Sequence, residues 1–196
     1  MATLLYQGHG SLRLTTDNGK VIYVDPFAGD GYDVPADLIL VTHQHYDHNR
    51  IDMPKKNSDC VIWQNSDAFV GGEYKSLQLN YATIEAVEAY NHHHDKSECV
   101  GYIVTVDDIS IYFAGDTGET EEMSKLAQRK LDYAVLPMDS TYTMDVPEAI
   151  RCAEIIKAKH TIPVHMAPGK LFDPERAKLF TAPGALIISP GETVKL

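Results

Sequence analysis

Residues 38–50 read LILVTHQHYDHNR, and this stretch restricts the fold more tightly than any other. Leu38, Ile39, Leu40 and Val41 form an unbroken apolar run, the pattern of a strand buried on both faces. Three histidines and an aspartate follow within six positions: His43, His45, Asp47 and His48. Such groups are costly to bury without partners. The strand must therefore be covered on both sides and must end at a rim, with its polar cluster just beyond.

His43 and His45 are one residue apart, so at a strand end both project to the same side. Imidazole and carboxylate together suit a borderline divalent cation, zinc first, with manganese and iron also served. Asp47 and His48 are adjacent and their side chains diverge, so they cannot join the centre of His43 and His45 without strain. The spacing predicts two metal ions side by side, each with an open position. A polar turn with histidines exposed by chance is the plain alternative; it suits isolated histidines better than four donors in six residues.

Around this stretch, SLRLTT (11–16) and KVIYVDPF (20–27) alternate about Asn18-Gly19, a hairpin signal. DCVIWQ, ATIEAVEAY, GYIVTV and ISIYFAGD read as further strands, the last two joined by a tight turn at Asp107-Asp108. In the second half, helix and strand alternate. TEEMSKLAQRK (120–130) is helical, DYAVLP (132–137) a strand, and DVPEAIRCAEIIKAK (145–159) the clearest helix. Asp145 can cap that helix, and Val146, Ala149, Ile150, Ala153 and Ile156 give it an apolar stripe. HTIPVHM is the next strand, DPERAKLF a short helix and ALIISPGE a final strand. The order predicts an α/β domain with two packed sheets and helices outside.

A length of 196 residues suits one domain spanning 1–196. The net charge of −11 repels phosphate backbones, which makes nucleic acid an unlikely partner. Cys60, Cys99 and Cys152 are odd in number and far apart, which predicts free, buried thiols in a reducing compartment. No apolar stretch reaches the roughly 18 residues of a membrane span. The N-terminus lacks the basic-then-apolar order of a signal peptide, so a cytoplasmic protein is expected. A homo-oligomer is compatible with the sequence.

The motif THQHYDH resembles the HxHxDH signature of the metallo-β-lactamase superfamily, and the resemblance continues in order along the chain. GHGSLRL and VDPF resemble the opening of its branch of small hydrolases, which includes ascorbate-6-phosphate lactonase and relatives of N-acyl-phosphatidylethanolamine phospholipase D. GYIVTVDDISIYFAGDTG looks like the segment carrying the family's bridging aspartate, here Asp116, and IPVHM like the strand bearing its last ligand, here His165. The resemblance implies an αββα four-layer sandwich with the metal site at strand ends along one edge. It implies a first metal on His43, His45 and a central histidine, and a second on Asp47, His48 and His165, with Asp116 between them. The central histidine falls in NHHHDKSECVG (91–101). Counting back from Gly101 favours His94, with His93 and His92 behind it.

Other positions support more than one reading. Asp116 could instead cap the following helix, a role Thr117 or Thr120 could fill. His160 is expected at a helix C-terminus, favoured by the dipole. In relatives the aspartate at Asp25 braces the HxHxDH loop. His9 suits an outer support, a substrate contact or plain surface. Asp139 and Tyr142, in PMDSTYTMD (137–145), resemble the family's rim segment. Relatives usually carry glycine near Ser140 or Thr141, so the pocket here can differ. Loops 27–36, 64–78 and 137–145 are expected to build its walls.

The expected activity is hydrolysis of a small ester, lactone or phosphodiester by metal-activated water, probed against a small-molecule substrate, with Asp47 orienting and deprotonating the water. No GxSxG elbow supports a serine mechanism. A lactonase is favoured over a nuclease because of the acidic charge, and a phosphodiesterase or nuclease stands as an alternative. The alternative class is an iron-dependent oxidoreductase of the persulfide dioxygenase kind. The flavodiiron pattern, with glutamate at the second histidine of the motif, is opposed by His45. A metal-free, non-catalytic member is opposed by the full set of donor types.

Overall fold

Period-two alternation in the first half fixes which side chains meet. In β1 (Thr3–Gly8), β2 (Ser11–Thr15), β3 (Val21–Val24) and β4 (Ala36–Val41), residues Leu4, Tyr6, Leu12, Leu14, Ile22, Val24, Leu38 and Leu40 face one way and are buried together. The alternate set, Val21, Tyr23, Ile39 and Val41, is buried on the opposite face. β4 is thus covered on both sides, as its apolar run demands. This is seen in a computed structural model of residues 1–196.

β5 (Lys56–Gln64) follows β4, then a single turn, α1 (Asn65–Ala68), and a small hairpin of β6 (Phe69–Val70) and β7 (Glu73–Tyr74). β8 (Ser76–Gln78), β9 (Thr83–Glu88), β10 (Val100–Val106) and β11 (Ile109–Phe113) begin the second sheet. β10 and β11 turn at Asp107 and Asp108, both left-handed at φ 49° and 63°, as a two-residue hairpin loop requires. After α2 (Glu121–Leu126) and a tighter turn at Ala127–Arg129 come β12 (Tyr133–Pro137), α3 (Val146–Ile156), β13 (His160–Val164), α4 (Pro174–Ala177) and β14 (Thr193–Lys195).

The strand order is β14-β1-β2-β3-β4-β5 in one sheet and β13-β12-β11-β10-β9-β8 in the other. β3, β4 and β5 are parallel, as are β11, β12 and β13; the remaining neighbours are antiparallel. β1 therefore runs with β3 and β4, and β9 runs with β11 and β12. The C-terminal ends of all these strands lie along one edge of the two-sheet stack. The inner faces join in one core, where Leu40, Trp63, Tyr102, Phe113 and Val135 meet.

Helices cover one outer face only. Met123 and Leu126 of α2, with Ala149, Cys152, Ala153 and Ile156 of α3, pack on Ile103, Tyr112 and Ala134 of the second sheet. Asp145 caps α3 by accepting from Glu148 N, as expected. The other outer face is covered by loops, with Tyr32, Val34, Ile51 and Met53 on Tyr23 and Ile39. Even the parallel crossover from β4 to β5, residues 42–55, carries no helix where one is usual. No helix is long and apolar enough to cross a membrane.

Two local expectations are corrected. ALIISPGE is not a strand: only Ala185 bridges to Thr161, and the last strand is β14, beside β1. Residues 185–192 pass from the edge of the second sheet to the edge of the first, burying Ile188 on the way, so they cannot pair along their length with either. His160 is not at a helix end. Lys157 in left-handed conformation caps α3, and His160 opens β13 as an exposed residue stacked on Tyr133 at 5.2 Å.

Candidate metal centre

Every expected donor sits just past a strand end on the shared edge. β4 delivers the loop with His43, His45, Asp47 and His48; the segment after β9 delivers His94; β11 leads to Asp116; and β13 leads to His165. Four imidazole Nε2 atoms point at one buried carboxylate. His48 Nε2 lies 3.4 Å from Asp116 Oδ1, while His165, His94 and His43 Nε2 lie 3.4, 3.5 and 3.8 Å from Asp116 Oδ2. His45 Nδ1 is 3.2 Å from His94 Nε2.

Most of these rings are tied back at the other nitrogen. His48 Nδ1 pairs with Asp25 Oδ2 at 2.9 Å, His43 Nδ1 with Thr42 Oγ1 at 3.0 Å, and His94 Nδ1 with Asn91 Oδ1 at 3.0 Å. His165 Nδ1 is 3.4 Å from Asp139 Oδ2, near enough for electrostatic attraction but outside hydrogen-bond geometry. Asp25 also accepts from Thr42 N at 2.8 Å and Thr42 Oγ1 at 2.7 Å, so it braces both ends of the loop entry. Such outer partners fix which nitrogen faces inward.

The donor set fits divalent metal. The Nε2 atoms of His43, His48 and His165 are buried with no hydrogen-bond partner, and buried polar atoms are rarely left so. Donors about 2.1 Å from one tetrahedral ion stand about 3.4 Å apart, which is the spacing seen around Asp116. Three overlapping groups have every donor atom within 4.8 Å of the others: His43-His45-His94, His43-His48-Asp116, and His9-Asp47-His48-His165. The first and last are two neighbouring nests, with Asp116 between them.

Electrostatics within the cluster are divided. Burial lowers His43 well below the ordinary histidine value, lowers His94 to about 4, and lowers His165 as well. Burial also presses on His48, but Asp116 and Asp25 on its two sides outweigh it and hold its pKa well above 6.5. Burial would raise Asp116, yet His48 and His165 draw it well below the carboxylate range. Asp47 is held at about 2, its partial burial overcome by the hydrogen bond from His9. His9 Nε2 is 3.1 Å from Asp47 Oδ2, and its Nδ1 is 3.3 Å from the Lys170 carbonyl. The His9 and His165 rings lie 3.8 Å apart between centroids, tilted at 45° to one another.

The backbone is specialised at this edge. His9, Asp25, Ser140 and His165 all hold left-handed conformations, φ 46° to 66°, which are unfavourable for residues other than glycine. Gly115 does the same before Asp116, and a Cβ there would stand 3.0 Å from Thr42 Cβ. Gly10 has a steric reason: a Cβ there would meet His48 Cε1 at 2.9 Å. Asp139 Oδ1 accepts from the backbone of Thr141, Tyr142 and Thr143 at 2.9 Å each, shaping the rim.

A cleft of about 390 Å³ opens over the cluster, between Tyr46 and Tyr142, and reaches Asp47, Asp116 and His165. A second of about 300 Å³ lies beyond His45 and His94, with Gln44, Asn65 and Glu98 on its walls. The walls thus come from 44–47, 93–98 and Tyr142 rather than from loops 27–36 or most of 64–78. His92 faces solvent, and His93 stands edge-on to Tyr142 at 5.5 Å on the cleft wall. Asp116 caps no helix; Thr120 takes the N-cap position of α2. Sequence reasoning overlooked Thr42, Tyr46 and the bracing role of Asn91. Only Asn91 carried a signal, since Asn suits the turn that precedes three histidines.

Residues 3–165 match the model of the β-lactamase superfamily domain. A protein of Geobacillus thermodenitrificans named a metal-dependent hydrolase is 30% identical over 226 aligned positions, covering 97% of this chain and 98% of that one. The alignment is longer than the chain, so that relative carries segments this chain lacks. The crystal structure of a candidate metal-dependent hydrolase from Parabacteroides distasonis superposes with a TM-score of 0.79 at 32% identity, covering 95% of this chain and 92% of that one. That of a candidate Zn-dependent hydrolase of the metallo-β-lactamase superfamily from Thermotoga maritima gives 0.69 at 21% identity, with 95% and 98% covered. By sequence match, strand order and the placing of its donors on one sheet edge, the chain belongs to the β-lactamase superfamily and has the metallo-β-lactamase fold.

Proposed function

We propose that the protein is a metal-dependent hydrolase with a dinuclear centre, acting on a small ester, lactone or phosphodiester. The reading rests on one observation: inward-facing imidazoles, three of them orphaned at Nε2, gather around Asp116 at 3.4–3.8 Å. His43, His45 and His94 would hold one cation, and Asp47, His48 and His165 the other, with Asp116 shared. Zinc suits this nitrogen-rich set best, with manganese and iron compatible.

When bound, such cations lower the pKa of a water from 15.7 to about 7 and polarise the substrate's oxygen. Asp47, half-buried and open to the cleft, accepts the proton of the attacking water and passes it to the leaving oxygen. His9 holds the Asp47 carboxylate in place through its Nε2. Asp25, Thr42 and Asn91 keep the His48, His43 and His94 rings from turning by hydrogen bonds, and Asp139 faces His165 Nδ1 at 3.4 Å.

Metal analysis of purified protein, then a hydrolysis screen over lactones, carboxylic esters, thioesters and phosphodiesters, tests this. Two divalent ions per chain and a chelator-sensitive rate restored by zinc are expected. A chain that retains no metal after dialysis, or shows iron-dependent oxidation with no hydrolysis, overturns it.

A further inference from the structure

The clefts hold a second message, about what the substrate carries away from its reacting bond. Neither cleft has a lysine or arginine among its lining residues. The basic side chains on the framing loops are engaged elsewhere. Arg50 grips Asp52 at 2.8 and 2.9 Å, Lys96 pairs with Glu88, and Lys170 reaches Asp173 at 3.4 Å. Arg176 donates to the backbone carbonyls of Met138 and Asp139. The fixed side-chain charge facing a substrate is instead negative, from Asp47 and Asp116, with Glu98 in the smaller cleft. An anionic group placed away from the metals would lose its hydration and meet no partner charge.

What the larger cleft does offer is aromatic surface. Tyr46 is 73% exposed and Tyr142 48% exposed, both unusual for large rings, and they stand on the cleft walls. Each is backed by another ring, Tyr46 by Phe27 at 5.8 Å and Tyr142 by His93 at 5.5 Å, both edge-to-face. The Tyr142 backbone is fixed as well, donating to Asp139 at 2.9 Å and accepting from Asn91 at 2.8 Å.

We propose, resting on the hydrolase reading, that the substrate is a carboxylic ester or lactone bearing an uncharged, flat group that lies between Tyr46 and Tyr142, and that anionic substrates such as phosphodiesters are disfavoured. In the reaction the water oxygen bonds to the acyl carbon and the ester C–O bond breaks. One water proton passes to the leaving oxygen by way of Asp47, leaving a carboxylic acid and an alcohol.

The test is a matched set: methyl 4-acetoxybenzoate, its anionic counterpart 4-acetoxybenzoate, methyl acetate and bis(4-nitrophenyl) phosphate, each with the zinc-loaded protein. The neutral aryl ester should exceed its anionic counterpart in kcat/KM by about tenfold or more. Tyr46→Ala and Tyr142→Ala should each lower kcat/KM on that ester by about tenfold, the scale of one lost ring contact. Methyl acetate should change less than about twofold, and the Phe variants should restore the aryl preference. Equal or faster turnover of the anionic ester, or Ala variants that affect aryl and methyl esters alike, overturns the substrate assignment. Hydrolysis of the phosphodiester without the esters overturns it while leaving the hydrolase reading standing; no hydrolysis of anything by metal-loaded protein brings down both.

Discussion

Asn91 shows how much a single side chain can organise. Its Oδ1 accepts from His93 N at 2.7 Å and His94 N at 3.0 Å and faces His94 Nδ1, while its Nδ2 donates to the Tyr142 carbonyl. Asn91→Ala should free the His94 ring and weaken the first metal about 10- to 100-fold, the usual cost of losing such a partner. Metal content after dialysis should fall from two ions toward one, and full retention would refute the role. Asp47→Ala should cut turnover by about 10²- to 10⁴-fold with the fold intact by circular dichroism; near wild-type turnover would remove it from the proton path. The direction of the His48 shift gives a third expectation. Its raised pKa favours the protonated form, which cannot ligate, so metal uptake should expel a proton and affinity should rise with pH. Calorimetry in buffers of different ionisation enthalpy should register that proton. At this scale the sequence was informative where donors crowd together, at 43–48, and uninformative where a partner comes from afar. The Tyr142 carbonyl and the Asp116 carboxylate, which give Asn91 and His94 their roles, lie at least 22 residues downstream, so no local pattern announces them.

Among the elements, β3, β4 and β5 are cross-tied by Asp37. Its carboxylate accepts from Val21 N at 2.9 Å, Lys20 Nζ at 2.8 Å and Asn57 Nδ2 at 3.1 Å. Asp37→Ala should destabilise the protein by about 1–3 kcal/mol, because buried donors lose their acceptor, as read by urea denaturation. Partial burial acts to raise the Asp37 pKa, but Lys20 and Val21 more than offset it, so the folded value is depressed. Its contribution is therefore complete above the unfolded value near 3.9 and fades as pH falls through the folded one. Stability that did not decline in acid more steeply than that of Asp37→Ala would count against this account. Element types were readable wherever burial imposes a period, as in the alternation of β2 and β3 or the stripe of α3. They were unreadable where apolar residues serve a crossing. Leu186 and Ile188 are apolar because they help fill the gap between sheets, not because they pair. The helix-free 42–55 crossover was equally silent, since loop residues such as Ile51 and Met53 carry no periodic mark.

For the whole molecule, the metal should act as a structural ligand of the folded state. Donors that follow β4, β11 and β13 are gathered only when both sheets are assembled, so binding favours the folded chain alone. At about 100 times its dissociation constant a ligand adds about 2.7 kcal/mol, which for a chain of this length corresponds to about 5–10 °C in Tm. Scanning calorimetry with and without chelator should show that gap, and superposed melting curves would deny the coupling.

The four left-handed residues on the site's edge carry a cost of about 1–3 kcal/mol apiece, held in check by the sheets behind them. Ser140 is the one among them whose side chain is not tied to a neighbouring donor ring. A laboratory selection for heat resistance alone would therefore drift toward glycine at that corner first. The survivors would melt later yet seat the Tyr142 ring less firmly, so durability and substrate choice would be traded through a single dihedral angle.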